Sequence, residues 1–216
     1  MENLATKFRT RFLLAAGLLA LASYAHAAPC APGSLTGYAA LGATGCTIGG
    51  ATFNNFMVLP GVFTPLDPDL VTVTPQATPA LLLTFAANAL TGQTLESTFS
   101  FNAFGPAFNT GFVQLIDSTV NPDGVNTGVA TFTPGGSVIA FDLGSGDMLL
   151  DSIALGGITA LAAEIDFVID GGTTGDAFLN QGRVAFSTTA AVPEPTTSLL
   201  IGAGLAVLAA RRRKRK

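Results

Sequence analysis

The 216-residue sequence predicts an all-β protein: an antiparallel β-sandwich, jelly-roll-like, with an N-terminal disulfide loop, set between two processing segments. Three observations predict it. Short apolar runs are separated by clusters of Gly, Pro, Asn and Asp, the punctuation of many short strands. Several runs alternate apolar and polar residues with a period of two, so each has one face for a core and one for water. Phenylalanine, with 16 copies against no Trp, is the dominant aromatic and suits the space between two sheets.

The elements follow in order. Residues 1–27 read as a signal peptide: Lys7, Arg9 and Arg11, then an apolar core over 12–22, then the small-x-small site Ala25-His26-Ala27. Cleavage is expected after Ala27, with the Sec translocon and signal peptidase as partners. The apolar core is too short for a lasting anchor. Pro29 stands where lipid attachment at Cys30 would need a small residue. Cys30 and Cys46 are the only cysteines and lie in an exported segment, so a disulfide is expected between them. Closing that loop stabilises the fold by about 3 kcal/mol on loop entropy.

Strands are expected at 51–59, 71–74, 80–86, 98–101, 112–120, 128–133, 137–142, 148–153, 164–170 and 182–188. The clearest sets Ile165, Phe167 and Ile169 against Glu164, Asp166 and Asp170. Turns are marked by Asn121-Pro122-Asp123-Gly124, Pro134-Gly135-Gly136, Gly144-Ser145-Gly146-Asp147 and Asp170-Gly171-Gly172. Asn54-Asn55 and a loop over 104–111 are expected as surface irregularities. No repeat of 20–50 residues supports a solenoid or propeller.

Residues 191–216 form the second processing segment. Val192-Pro193-Glu194-Pro195 is extended and cannot continue a helix or sheet ladder through its prolines. An apolar stretch over 198–210 follows, then Arg211, Arg212, Arg213, Lys214, Arg215 and Lys216. As a helix the stretch reaches about 20 Å, short of a hydrocarbon core about 30 Å thick. Six cations resist translocation, so the tail is expected to stay cytoplasmic with the body outside. This three-part order resembles the PEP-CTERM sorting signal of exopolysaccharide-producing Gram-negative bacteria. The resemblance implies recognition by an exosortase, a membrane-embedded cysteine transpeptidase, and cleavage near Pro193-Glu194-Pro195. A looser resemblance to PEP-CTERM passenger domains lies in Cys30, Tyr38, Gly45-Cys46-Thr47-Ile48-Gly49 and Phe53-Asn54-Asn55-Phe56.

Between the segments, residues 28–190 are one domain's length. They hold twelve acids against a single cation, Arg183, for a charge of −11. Nucleic acid is thereby excluded as a partner, since phosphate binding depends on cations. The sole His, His26, precedes the expected cut, and the body has no Lys, no Trp and one Tyr, Tyr38. Histidine-based triads, lysine nucleophiles and His-ligated zinc are unavailable to it. A carboxylate-dependent hydrolase is disfavoured because carbohydrate sites commonly use Trp and Tyr platforms. Arg183 is expected to pair with an acid on the 164–170 strand.

Acidic turns are the remaining candidates for chemistry. Asp67-Pro68-Asp69, and above all the loop from Asp170 to Asp176, gather hard oxygen donors of the kind Ca²⁺ takes, without the EF-hand spacing. Ordinary turn chemistry explains the same residues. The leading expectation is an exported, non-enzymatic protein of the cell surface or biofilm matrix, held transiently at the inner membrane and needing no cofactor. Exopolysaccharide or other matrix proteins are its expected partners. The alternatives are a Ca²⁺- or polysaccharide-binding module with Asp170 and Asp176 as ligands, and a permanently tail-anchored envelope protein.

Overall fold

The structure, a computed structural model, describes residues 27–189. It is all-β and antiparallel but for two short parallel contacts, Thr64–Pro65 beside Leu95–Glu96 and a bridge between Pro29 and Thr47. The strands are β1 (Gly33–Ser34), β2 (Cys46–Ile48), β3 (Ala51–Val58), β4 (Thr64–Pro65), β5 (Thr72–Pro75), β6 (Ala80–Ala89), β7 (Thr94–Asn121), β8 (Val125–Thr133), β9 (Gly136–Asp142), β10 (Leu150–Asp170) and β11 (Asp176–Thr188). The single helix among the described residues, α1 (Leu35–Ala39), is capped by Ser34, whose hydroxyl accepts from the Gly37 amide at 3.1 Å.

Two strands are long enough to serve two layers. The first half of β7 pairs with β3 and with the second half of β10, which in turn pairs with β8, and β8 with β9. The second half of β7 pairs with β11, which continues through β6 to β5 and β1. Between the halves β10 slips register from Ala154 to Ala160, and Gly156 and Gly157 sit there at φ 69° and 79°, a left-handed backbone that favours glycine. The result is a sandwich whose layers are joined by two bent strands.

The expected loop over 104–111 is therefore corrected: it is continuous strand within β7. At Gly105-Pro106 the strand bends from one layer to the other and runs back toward the end it came from. Asn54-Asn55 also lies within a strand, β3, where Asn55 at φ 52° makes a bulge between Asn54 and Met57. The expected strand at 148–153 begins at Leu150, with Met148 bridged to Phe141.

Phenylalanines fill the interior. Phe186 of β11 meets Phe53, Phe101 and Phe132 of the facing layer at centroid distances of 6.1, 6.4 and 5.4 Å. Phe85 of β6 meets Phe167 of β10 at 5.0 Å. Room for Phe167 comes from Gly182, where an added Cβ would lie 2.4 Å from the ring. Ile165, Phe167 and Ile169 are fully buried, as their alternation predicts.

The disulfide forms between Cys30 and Cys46 with Cα atoms 4.8 Å apart. Backbone bonds from Thr47 to Ala28 (2.8 Å) and from Cys30 to Thr47 (3.0 Å) lay the first residues along β2. Tyr38 packs edge-on against Phe56 and donates to the Ala31 carbonyl at 2.9 Å. Beside them lies an open, largely apolar cleft of about 270 Å³, lined by Pro29, Pro32, Tyr38, Leu41 and Cys46 among others.

Candidate functional site

Strand direction sorts the turns to two ends of the sandwich. At one end lie residues 90–93, 122–124, 143–147 and 171–175. Here sit Asp123, Asp142, Asp147, Asp170 and Asp176, all at turns or strand termini, where Asp is a natural turn former. Asp123 organises the end. Its carboxylate accepts from the Thr173 amide at 2.9 Å, the Thr173 hydroxyl at 2.6 Å and the Thr174 amide at 3.1 Å. Hydrogen bonding, first of all from the Thr173 hydroxyl, pulls the Asp123 carboxyl down to about 2. Sequence reasoning saw Asp123 only as a turn residue, because its partners lie about fifty positions away.

The two candidate cation ligands stand at either side of that loop with separate tasks. Asp170 accepts from the Gly172 amide at 3.0 Å and the Thr94 hydroxyl at 3.3 Å. Asp176 accepts from the Asn121 side chain at 2.9 Å. Asp67 closes its own turn by accepting from the Asp69 amide at 3.0 Å. Among the described residues no group of three or more His, Cys, Asp or Glu side chains is placed to share a metal ion.

Beneath the acidic end runs a buried polar chain that the sequence did not reveal. Asn126 donates to the Ser118 hydroxyl at 2.8 Å and the Phe178 carbonyl at 2.9 Å, and Ser118 donates to Asp142 at 2.6 Å. Asn126 is 0% and Asp142 5% exposed. Such a network ties β7, β8, β9 and β11 together because each group left unpaired would be costly.

On the outer face of the first layer, Glu96 is buried, and its carboxylate accepts from the Phe63 amide at 2.7 Å, fastening the segment before β4. Asp166 on β10 accepts from Thr98 at 3.0 Å. Burial pushes the Asp166 carboxyl up to about 6; the Thr98 bond opposes this, while Glu96 and Glu164 add to it.

Arg183 does not pair with the 164–170 strand. Its strand, β11, neighbours β6 and β7 in the other layer. The guanidinium lies 5.3 Å from the Phe112 ring centroid, and its Nε has no hydrogen-bond partner among the described residues.

The opposite end is built from residues 49–50, 76–79, 104–107, 133–136, 155–160 and 187–189, and carries no Asp, Glu, Lys or Arg. Gly, Pro, Ala and Thr predominate there, with Phe104 41% exposed. The chain leaves the body here: Phe186 bonds to the Pro79 carbonyl at 2.9 Å and Thr189 to the Ala107 carbonyl at 3.1 Å. The sorting residues Val192, Pro193, Glu194 and Pro195, the basic run from Arg211 to Lys216 and residues 1–26 of the expected signal peptide lie outside the described residues. No described helix is long and apolar enough to cross a membrane.

Residues 191–214 match the family model of the PEP-CTERM protein-sorting motif. The chain therefore carries that motif immediately after the folded body, and the motif marks an exported protein. No curated protein matches the chain. Solved structures with similarity include TmCBM61 in complex with β-1,4-galactotriose, at 10% identity, TM-score 0.30, covering 61% of this chain and 88% of that one. Another is the CBM36-1 domain of a multidomain xylanase from the hindgut metagenome of Trinervitermes trinervoides, at 11% identity and TM-score 0.26, covering 64% and 99%. The secreted serine protease VesC from Vibrio cholerae matches at 13% identity and TM-score 0.29, covering 74% of this chain and 28% of its own. At these TM-scores the likeness says nothing of ligand or activity.

Proposed function

We propose that this is an exported, non-catalytic surface or matrix protein, released from a transient membrane hold when an exosortase cuts its C-terminal signal. The observation that carries the reading is the sorting motif at 191–214, joined within two residues to a body already hydrogen-bonded at Thr189. The body's lack of His and Lys supports a structural or binding role. Its charge of −11 suits a soluble product among polymers and disfavours adhesion to anionic surfaces. Intact-mass measurement of the protein from envelope and medium tests the reading. A species ending near Pro193–Pro195 is expected in the medium. If every molecule keeps Arg211–Lys216, the tail is a permanent anchor.

A second reading, a Ca²⁺- or polysaccharide-binding module, draws on the carboxylates of Asp170 and Asp176 at either side of one turn. A rise in melting temperature with Ca²⁺ that EDTA reverses would support it. Identical melting with and without Ca²⁺ or the host's polysaccharide would remove it.

A further inference from the structure

We infer that Arg183 is the centre of a binding site for carboxylate-bearing sugars, on the outer face of the layer built from β5, β6, β11 and the second half of β7. The inference rests on the reading of the protein as one that works among polysaccharides, and adds the site and the chemical class of the ligand.

The only cationic side chain of the body sits on a central strand. β11 lies between β6 and β7, and Val184 with its partners Leu81 and Val113 points into the core. Arg183, one residue out of step with Val184, therefore stands on the outer face, half-buried. Directly opposite it are Leu82 of β6 and Gln114 of β7. Gln181 lies two residues before it on the same strand, with Thr84 opposite. None of these neighbours is charged. The acids on the nearby strands are engaged elsewhere: Asp117 accepts from the Asn180 side chain at 2.7 Å, and Asp151 from the Ile139 amide at 3.0 Å.

The guanidinium is held in place but not satisfied. The Phe112 ring, with its centroid 5.3 Å away, supports it and limits the motion that a ligand would have to freeze. Its Nε is enclosed and has no hydrogen-bond partner among the described residues. A ligand therefore meets Arg183 through the two terminal amino groups, where a carboxylate takes two parallel N–H bonds and supplies the missing opposite charge. Gln114, Gln181 and Thr84 stand around that point with donors and acceptors for sugar hydroxyls.

Two features favour a sugar over a peptide. An extended peptide adds to a free sheet edge, but β11 is paired along both of its sides, so no backbone ladder is open here. Side chains on neighbouring strands are instead spaced by about 4.8 Å, close to the length of one sugar ring. The body's charge of −11 turns away densely charged polymers, so the carboxylates that fit are single ones set among neutral sugars.

The test titrates the full chain, in detergent micelles, with a glucose tetrasaccharide in which one glucose is replaced by glucuronate. NMR reads the side-chain N–H signals of Arg183, Gln114 and Gln181, because the basic run from Arg211 to Lys216 also attracts carboxylates and a bulk signal would mix the two. Saturable shifts at all three residues are expected. The all-glucose tetrasaccharide should bind about ten- to a hundredfold more weakly, the range for losing a hydrogen bond to a charged group. Arg183→Gln should abolish the shifts at Gln114 and Gln181, and Arg183→Lys, which keeps the charge without the planar fork, should restore part of them. Equal affinity for the two sugars, or glutamine shifts that persist in Arg183→Gln, overturns the inference. So does tighter binding of an acetylated trialanine with a free C-terminal carboxylate, which would make this a peptide site. Sugar-induced shifts confined to other residues of the body remove the Arg183 site and leave the polysaccharide reading standing. No shift in the body with either sugar removes both.

Discussion

The two ends of the sandwich are both made of turns between strands, yet they are kept together by different forces. Behind the uncharged end, Phe53, Phe101, Phe108, Phe132 and Phe186 form one aromatic cluster, with Phe108 and Phe186 5.2 Å apart. Behind the acidic end, order comes from polar bonds: Asp123 to Thr173 and Thr174, and Asn126 through Ser118 to Asp142. Packing of apolar rings has no titration, whereas carboxylate hydrogen bonds do. One end should thus be indifferent to pH and the other sensitive to it. The indifferent end is the one where the chain enters its sorting motif.

The largest expected effect breaks the aromatic side. Phe186→Ala empties the centre of the cluster and should cost about 3–5 kcal/mol, equally at pH 4.5 and pH 7, as read by urea denaturation. A loss below about 1 kcal/mol, or one that varies with pH, would end the distinction. Next, Asn126→Ala leaves the Phe178 carbonyl and Ser118 without their buried donor and should cost about 2 kcal/mol. A neutral result would show that the polar chain is incidental.

Asp166 sharpens the comparison through pH. Its carboxyl is raised from the ordinary aspartate value of 3.8 to about 6, so the folded state takes up a proton before the unfolded state does. Its contribution is fully present below 3.8 and is lost as pH rises through 6. Asp166→Asn should flatten that part of the profile, so that variant and wild type differ more at pH 7 than at pH 4. Parallel profiles would contradict the assignment. Asp123 has the opposite sign and the smallest expected effect. Its carboxyl is lowered to about 2, so its contribution is present above 3.8 and fades as pH falls through 2. Asp123→Ala should lower the melting temperature slightly at pH 7 and not at pH 1.5, with faster amide exchange at Thr173 and Thr174. Unchanged exchange at those amides would count against the Asp123 anchor.

Local pattern was legible and long-range partnership was not. The alternation through Glu164–Asp170 correctly set its apolar side chains inward. The cysteine pair, the acidic balance and the sorting signal were likewise readable, since each depends on residue type and spacing within a short window. The stretch 104–111 is strand and not loop because residues such as Gly105 and Pro106, which end many strands, can also bend one between layers. Arg183 misled because charge alone suggested a carboxylate, while the fold put the 164–170 strand in the other layer and Phe112 beneath the guanidinium.

Periodicity, composition and motif order are written along the chain, and they suffice for a stapled, acidic β-domain with a sorting signal behind it. Which turns share an end follows from the pairing of the strands. Strand register brings Asp123 to Thr173 and sends Thr189 to Ala107. Register is fixed by packing between segments far apart in sequence, so the separation of an acidic end from an uncharged exit becomes visible only once the strands are paired.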